Sequence, residues 1–269
     1  MRPVRWPGVA TTILGVGPLS ASHVVLLLAA GVVAGFFNGV AGGGSLISFP
    51  LLLALGYPAL TANITNTVGI WPGYLGGAAG FREQIADQRD RLARLSLVAV
   101  AGGVTGAVLL LTTSSATFSR LAPWLVLSAS LLFAAQPLLR RLLRGHSGVG
   151  VHGHPVLLAA GVYLVSVYGG YFGAAMGVMF LAVLGLALPD SIARTSGLRT
   201  VLSILVNGVA AAVFLVHRGL AWHAVGLLAV GSLLGGWAGA RVALSIPAAA
   251  LRAVVVVIGL GTAVKLLVS

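Results

Sequence analysis

The residues of this chain with the clearest potential for chemistry lie in two glycine-rich segments. The first reads Asn38-Gly39-Val40-Ala41-Gly42-Gly43-Gly44-Ser45, and the second reads Tyr168-Gly169-Gly170-Tyr171-Phe172-Gly173-Ala174-Ala175-Met176-Gly177. Each glycine costs about 1 kcal/mol in a helix relative to alanine, so each segment predicts a break between two half-helices. A half-helix that starts at a break offers backbone N–H groups and a positive dipole end, which together bind anions. We therefore expect an anion to be bound by Gly42, Gly43, Gly44, Ser45 and Gly173.

Clusters of small polar side chains follow each break, where the next long apolar run opens. Asn63, Thr65 and Asn66 open one run, and Thr195 and Ser196 open its counterpart. Asn, Thr and Ser are good helix caps, but a helix needs only one such cap. Both contact with a substrate or ion and helix capping therefore stay open for these five residues.

Arg199 is the sharpest single candidate, because it lies several residues inside the apolar run 192–217. Ionisable residues inside a membrane are costly and usually face a cavity or a partner. Arg199 is therefore a candidate anion ligand. In the alternative interpretation, Asp190 and Arg194 form a surface pair while Arg199 extends to the membrane interface. Asn207, two turns deeper, is expected to tie helices together by hydrogen bonding.

The elements that must position these residues are membrane helices. Of 269 residues, 58% are hydrophobic and 7% are charged, against about 25% charged in a soluble domain. One bilayer crossing takes roughly 20 apolar residues. The composition therefore predicts an all-α polytopic membrane protein with about eight hydrophobic units, and excludes a soluble enzyme or a nucleic-acid-binding domain. The 16 Lys and Arg against four acids are typical of cytoplasmic loops, with attraction of an anionic substrate as the alternative.

The apolar segments repeat in order along the chain. The apolar runs are 23–40, 45–55, 62–81, 95–113, 120–140, 155–172, 176–188, 192–217, 222–243 and 249–268. An offset of 131 residues pairs Gly42 with Gly173 and Thr65 with Ser196, which indicates an internal two-fold repeat of the kind found in transporters. We divide the chain into a loosely ordered N-terminal tail (1–22), a first transmembrane repeat (23–144), a polar linker (145–154) and a second transmembrane repeat (155–269).

The lengths of the runs around each break favour a re-entrant segment. The first break is preceded by about 17 apolar residues and followed by about 11, which is too long for one straight crossing. A segment that enters, breaks and turns back fits these lengths, and it makes the two repeats inverted. A single tilted, broken crossing would make them parallel, and the arginines do not separate the two arrangements. Gly235, Gly236 and Gly239, by contrast, predict close helix packing.

Several stretches together resemble the sulfite exporter TauE/SafE family. They are Asn38 to Pro50, Ala62 to Gly80 (ANITNTVGIWPGYLGGAAG), Tyr168 to Gly177 and Ala229 to Arg241 (AVGSLLGGWAGAR). The resemblance spans about residues 23–268 and implies a bacterial inner-membrane permease with two homologous halves that moves small anions, such as sulfite or organosulfur compounds. The chain departs from the commoner family pattern at Ala174-Ala175-Met176 and at Asn63-Ile64-Thr65-Asn66. Membership alone does not name the substrate.

The residues and the resemblance predict a secondary transporter and not an enzyme. The apolar runs hold no His–Asp or Glu–His pair of the kind that a nucleophile or a metal site needs. We expect no cofactor, no metal and no nucleic acid, but a small anionic substrate and the lipid bilayer as partners; a homo-oligomer is compatible with the sequence. An anion channel or a membrane-bound accessory protein without its own transport cycle is the alternative. Transport is expected to follow the membrane potential or the protonation of the anion itself.

Overall fold

The computed structural model describes residues 21–40, 42–79, 85–86, 88–145, 155–188, 190–217, 219–242 and 248–268. These residues form ten α-helices and no strand. In chain order they are α1 (Ala21–Val40), α2 (Ser45–Ala54), α3 (Ala59–Ala79), α4 (Arg89–Thr112), α5 (Ser115–Gly145), α6 (Pro155–Tyr171), α7 (Met176–Ala187), α8 (Ile192–Leu215), α9 (Trp222–Val242) and α10 (Ala248–Val268).

The prediction of an all-helical membrane protein is confirmed. Each predicted apolar run coincides with one helix, although α4 begins six residues earlier than its run and α5 begins five residues earlier. Within the described ranges, α1, α4, α5 and α8 are long and apolar enough to cross a membrane. The predicted tail falls outside the described residues except at its last two positions, and so does the linker apart from Gly145.

Short sequence signals set the end of α2 and the start of α8. The helix α2 ends in a Schellman motif, in which Gly56 adopts φ +87°. The amide of Gly56 donates to the Leu53 carbonyl and the amide of Tyr57 donates to the Leu52 carbonyl. Glycine suits this position because it has no Cβ to oppose a positive φ. The helix α8 begins after Ser191, whose hydroxyl oxygen accepts the Arg194 amide at 3.3 Å.

The helices α1, α3 and α9 form a first bundle in which all three run in the same direction. The backbone of α9 contacts α1 at Gly231 near Gly31 and at Gly239 near Phe36, so residue numbers rise together along both helices. The contacts of α3 with α9 rise in the same way, from Gly69 beside Leu228 to Gly76 beside Gly236.

Glycines bring these backbones close together, as the sequence predicted for Gly235, Gly236 and Gly239. A Cβ added to Gly235 would lie 1.9 Å from the Val32 carbonyl oxygen, and one added to Gly236 would lie 2.3 Å from the Gly73 carbonyl oxygen. Such distances leave room for a hydrogen atom only. The small residues therefore set the spacing of the first bundle.

The helices α4, α6 and α8 form a second bundle, also with a common direction. Gly102 of α4 lies against Tyr163 of α6, and Gly106 lies against Val167 one turn further along. At the start of α4 the Gln88 side chain donates to the Arg194 carbonyl at 3.0 Å, and deeper in the bundle Gly103 meets Val206. The fourth helix of each half of the chain, α4 and α9, therefore packs in the bundle of the other half.

The short helices α2 and α7 follow the breaks and are buried within this assembly. The exposed residues of α2 and α7 are few, and Phe49 and Phe180 are among the largest fully buried side chains. The helices α5 and α10 pack on each other, and Gly259 of α10 lies against both Ser130 of α5 and Leu46 of α2. The core is thus centred on the two breaks and the helices that start at them.

Candidate anion-binding site

The two breaks have the same backbone conformation at Gly42 and Gly173, but they differ at the residue before each short helix, where Gly44 has φ −58° and Ala175 has φ +59°. Gly42 has φ +77° and Gly173 has φ +78°. The amide of Gly42 donates to the Phe37 carbonyl at 2.8 Å, and the amide of Gly173 donates to the Tyr168 carbonyl at 3.2 Å. A positive φ is nearly free of strain only for glycine, which explains the residue type at both positions.

The two breaks meet at Gly42 and Gly177. A Cβ placed on Gly42 would lie 3.5 Å from the Gly177 Cα, and one placed on Gly177 would lie 3.6 Å from the Gly42 Cα. The Arg199 guanidinium adjoins both, since its Nη1 atom would lie 3.7 Å from a Cβ placed on Gly42 and 3.3 Å from one placed on Gly177. The end of α1, the start of α7 and the middle of α8 are therefore brought to one point.

Arg199 lies inside the protein and does not extend to its surface. Its residue exposure is 4%, while Arg194 is half-buried at the end of the same helix. Tyr74 of α3 is buried beside Arg199 and Asn207 of α8, and the Asn207 side chain donates to the Ser203 carbonyl of its own helix at 3.0 Å. A hydrogen bond from Asn207 to another helix stays a prediction.

A chain of polar groups surrounds the start of α2. The Gly44 amide donates to the Asn38 side-chain oxygen at 2.8 Å. The Ser48 hydroxyl lies 3.2 Å from the Gly44 carbonyl and 2.5 Å from the Asn66 side-chain oxygen, which accepts its proton. Asn38, Ser48 and Asn66 are all buried. The first break is therefore lined by amide and hydroxyl groups that come from α1, α2 and α3.

The glycines next to Gly42 have packing roles. A Cβ added to Gly43 would lie 2.6 Å from the Phe133 ring of α5, and one added to Gly44 would lie 2.2 Å from the Ala34 carbonyl oxygen. The space that a side chain would occupy is therefore already taken at both positions, by an aromatic ring at Gly43 and by the backbone of α1 at Gly44. Ser45 begins α2 and is buried.

Asn63, Thr65 and Asn66 do not cap a helix, because α3 begins at Ala59. The Asn63 amide nitrogen donates to the Tyr171 carbonyl at 2.9 Å, just before the second break. The Thr65 hydroxyl oxygen accepts the Ala221 amide at 3.2 Å. Two of the three residues therefore connect α3 to the second half, and Asn66 connects it to α2.

Thr195 and Ser196 also lie one turn inside their helix, since Ser191 is the cap of α8. The Thr195 hydroxyl donates to the Ser191 carbonyl at 3.1 Å, and both side chains are buried. Capping is thus excluded for all five residues of the two polar clusters. Contact with a ligand stays a prediction for them.

The acidic side chains that the structure describes lie at helix ends and away from the breaks. Asp90 is exposed in the first turn of α4. Asp190 forms an ion pair with Arg91 and another with Arg194 at 3.3 Å. The predicted pair of Asp190 and Arg194 is confirmed, with Arg91 as a further partner.

Comparison with known proteins identifies the family. The sequence profile of the family described as Sulfite exporter TauE/SafE matches residues 27–266. The chain belongs to this family. A probable membrane transporter protein of Haemophilus influenzae is 29% identical over 243 residues, covering 87% of this chain and 90% of the relative. The probable membrane transporter protein YfcA of Escherichia coli K12 is 26% identical over 237 residues, covering 88% and 86%.

A third relative, the probable membrane transporter protein ORF9 of a Sinorhizobium species, is 26% identical over 249 residues, which cover 92% of this chain and 94% of the relative. No solved structure matches the chain. The resemblance to the TauE/SafE family that the sequence indicated is confirmed. The chain is a membrane transporter of that family.

In this TauE/SafE family member, the geometry adds residues that sequence reasoning did not select. Asn38, Ser48 and Gly177 lie at the breaks, where the sequence analysis had selected only Ser45, the three glycines before it and Gly173. Asn38 and Gly177 belong to the two glycine-rich segments, and Ser48 lies one turn after Ser45, so helical spacing was a usable signal. Tyr74 carried no local signal, because only the crossing of α3 and α8 brings it to Asn207.

Proposed function

We propose that the protein is a secondary transporter that moves a small anion, such as sulfite or an organosulfur or sulfonate-type oxyanion, across the bacterial inner membrane. The anion binds between the two repeats, at the contact of the two breaks. One observation carries this proposal. The buried Arg199 guanidinium lies at the point where Gly42 and Gly177 adjoin.

The electrostatics of this point favour an anion. A buried cationic side chain in a membrane protein usually marks a substrate path or an ion path. The starts of α2 and α7 add the positive ends of two helix dipoles, each equivalent to about half a charge. The described acidic residues Asp90 and Asp190 sit at helix ends, so they do not offset the positive potential at the breaks.

Matching local structure supports the proposed internal repeat. Residues 131 positions apart have the same role in the two halves. The carbonyls of Phe37 and Tyr168 accept the amide of the glycine at the break, and these glycines, Gly42 and Gly173, take the positive φ. Ser45 and Met176 start the short helices. Equivalent structure at equivalent positions is the expected result of a duplicated unit. Residues 23–144 and 155–269 are the two proposed repeats.

Helix directions support inverted repeats. Six residues (216–221) join α8 to α9, and at about 3.5 Å each they cannot recross a bilayer of roughly 30 Å. The helices α8 and α9 therefore run in opposite directions. The helices α1 and α3 are parallel to α9, and both α6 and α8 are parallel to α4. The helices α1 and α3 of the first half therefore point in the opposite direction to their equivalents in the second half, α6 and α8.

The same contacts support a re-entrant α2. Gly35 of α1 lies beside Gly73 of α3, and each glycine stands 14 positions after the start of its helix. Because α1 and α3 run in the same direction and start at the same depth, the chain between them has to return. We infer that α2 makes this return from the break at Gly42, and that α7 does the same in the second half.

The contact between the two bundles suits alternating access. The helix α3 of the first bundle meets α8 of the second, where the Trp71 indole N–H donates to the Ile204 carbonyl at 3.1 Å. The breaks lie next to this contact. Rocking of one bundle against the other around a central site is a common transport mechanism in proteins with inverted repeats.

The anion itself or the membrane potential supplies the driving force in this proposal. Moving one charge down the potential is worth about 2.3 kcal/mol per 100 mV. Export of an anion from the negative interior needs no further coupling group. Asp190, which is paired with Arg91 and Arg194, is not required to carry a proton.

Reconstitution into liposomes tests the proposal. Purified protein is screened by thermal shift against sulfite, sulfate, thiosulfate, sulfonates and carboxylates, because a ligand of the native state raises apparent stability. The hit is then used as labelled substrate in proteoliposomes. A transporter saturates and exchanges internal for external substrate. An anion channel would conduct without saturation at the same concentrations, and an accessory protein would show neither behaviour.

A further inference from the structure

Three buried amide side chains at the two breaks hold an atom that lacks a hydrogen-bond partner among the described residues. These atoms are the Asn38 amide nitrogen, the Asn66 amide nitrogen and the Asn63 carbonyl oxygen. The three residues are between 1% and 5% exposed. A buried polar atom without a partner is costly, and in a native structure it points to a ligand or an ordered water.

The orientation of two of these amides follows from their partners. A backbone N–H only donates, so the Asn38 atom that meets the Gly44 amide is the oxygen, and the nitrogen is left over. A backbone carbonyl only accepts, so the Asn63 atom that meets the Tyr171 carbonyl is the nitrogen, and the oxygen is left over. The Asn66 oxygen is taken by the Ser48 hydroxyl, which leaves its nitrogen.

The three amides belong to one place. The Asn38 oxygen accepts the Gly44 amide at the start of α2, and the Ser48 hydroxyl, which lies 3.2 Å from the Gly44 carbonyl, donates to the Asn66 oxygen. Asn63 lies one helical turn before Asn66 on α3 and reaches the end of α6 next to the second break. Arg199, which adjoins Gly42, supplies the charge. The site thus offers a cation, two donors and one acceptor.

We propose that this site binds its oxyanion as a singly protonated monoanion, with Asn63 accepting the O–H of the ligand while Asn38 and Asn66 donate to its unprotonated oxygens. This inference rests on the proposed function and names the ionic form that the site takes. Hydrogen sulfite has this pattern of one charge, one O–H group and free oxygens. The sulfite dianion and a sulfonate both lack the O–H group that the Asn63 oxygen would accept.

The buried cation favours an anion over a neutral ligand. Arg199 is the one cationic side chain among the buried residues that the structure describes. Because the proton travels on the ligand, movement of the anion carries a proton without any titrating side chain at the breaks.

Calorimetry on the wild-type protein tests the inference directly. Sulfite and methanesulfonate are titrated at pH 8 in two buffers that differ in ionisation enthalpy, so the difference in heat gives the protons taken up per ligand. Sulfite, which is then mostly the dianion, is expected to take up close to one proton on binding. Methanesulfonate, a monoanion at any such pH, is expected to bind more weakly and to take up none. Sulfite binding without proton uptake would overturn the inference and leave the proposed function standing. Binding of neither anion would overturn the proposed function itself.

A variant assigns the proton to its acceptor. Asn63→Leu is expected to weaken sulfite binding about tenfold, as expected for one lost hydrogen bond, and to leave methanesulfonate binding within about twofold. The control Gln136→Leu removes a buried amide of α5 whose nitrogen also lacks a partner in the described ranges, and it is expected to leave the proton count unchanged. Equal weakening of both ligands by Asn63→Leu would contradict the role of Asn63. If that variant fails to fold, binding of both ligands is lost and the wild-type proton count decides alone.

Discussion

Gly42 and Gly177 face each other across the two helix breaks, and a Cβ on either would lie within 3.6 Å of the other residue's Cα. Each comes from a different half of the chain. The contact leaves both positions without side chains next to the Arg199 guanidinium. An anion at this point would meet backbone on two sides and a cation on the third.

Filling this contact is expected to abolish anion binding. Gly177 has an ordinary helical φ, so Gly177→Leu adds side-chain volume between the breaks without backbone strain, whereas the same change at Gly42 would oppose its positive φ. Thermal shift and flux in proteoliposomes measure the outcome. Gly261→Leu serves as the matched control, because no atom lies within 4 Å of a Cβ at Gly261 and the position is exposed. Wild-type flux in the Gly177 variant would contradict the proposed site.

Removing the buried cation is expected to weaken anion binding. We predict that Arg199→Ala weakens it by about 1.5–3 kcal/mol, the usual range for a hydrogen bond to a charged group. The control Arg120→Ala changes an exposed arginine of α5 and is expected to leave affinity unaltered. Dissociation constants from calorimetry compare the two variants. Equal affinity in the Arg199 variant and the wild type would show that the anion binds elsewhere.

The direction of the repeats can be read from cysteine labelling, because the chain contains no cysteine. In inverted repeats the end of α2 and the start of α8 lie on opposite sides of the membrane. Ala54→Cys is therefore expected to react with an impermeant maleimide from the same side as Ser114→Cys, and Ser191→Cys from the other side. All three positions are exposed. Labelling of Ala54→Cys and Ser191→Cys from one side would instead support parallel repeats.

Because α1 and α9 pack closely, we expect a single side chain added between them to cause a large loss of stability. A leucine at Gly235 would start 1.9 Å from the Val32 carbonyl oxygen, so we expect Gly235→Leu to destabilise the fold by about 3 kcal/mol, at the upper end of the usual overpacking cost. Gly226 lies on the same helix, is exposed and has no atom within 4 Å of a Cβ. Gly226→Leu should leave the thermal midpoint in detergent close to that of the wild type.

Asp190 tests the coupling proposal. Its carboxylate pairs with Arg91 and Arg194 at the start of α8, and half-exposed pairs of this kind contribute only about 0.2–1 kcal/mol each. We expect Asp190→Asn to lower stability slightly and to leave both substrate flux and the accompanying proton movement unchanged. Simultaneous pH and flux recording in proteoliposomes measures both. Loss of proton movement with retained anion flux would make Asp190 the coupling group.

The sequence by itself determined the fold class, the helices and the breaks. Apolar runs of membrane length predict helices, because transfer of the backbone into hydrocarbon requires internal hydrogen bonds residue by residue. Glycine at positions 42 and 173 predicts a break through local backbone energetics, and both positions take a positive φ. Gly235 and Gly236 were correctly interpreted as packing residues because small residues have few other uses between membrane helices.

The tertiary structure alone decided how these parts meet. The pairing of α9 with α1 and of α4 with α6 exchanges helices between the halves, and this depends on contacts between residues far apart in sequence. The same long-range contacts fill the Gly43 position with Phe133 and bring Arg199 to Gly42. Helix propensity and hydropathy depend on residues that are neighbours in sequence, so they do not describe contacts between residues far apart. For this reason the sequence named Arg199 as a candidate, and only the packed helices placed it between the two breaks.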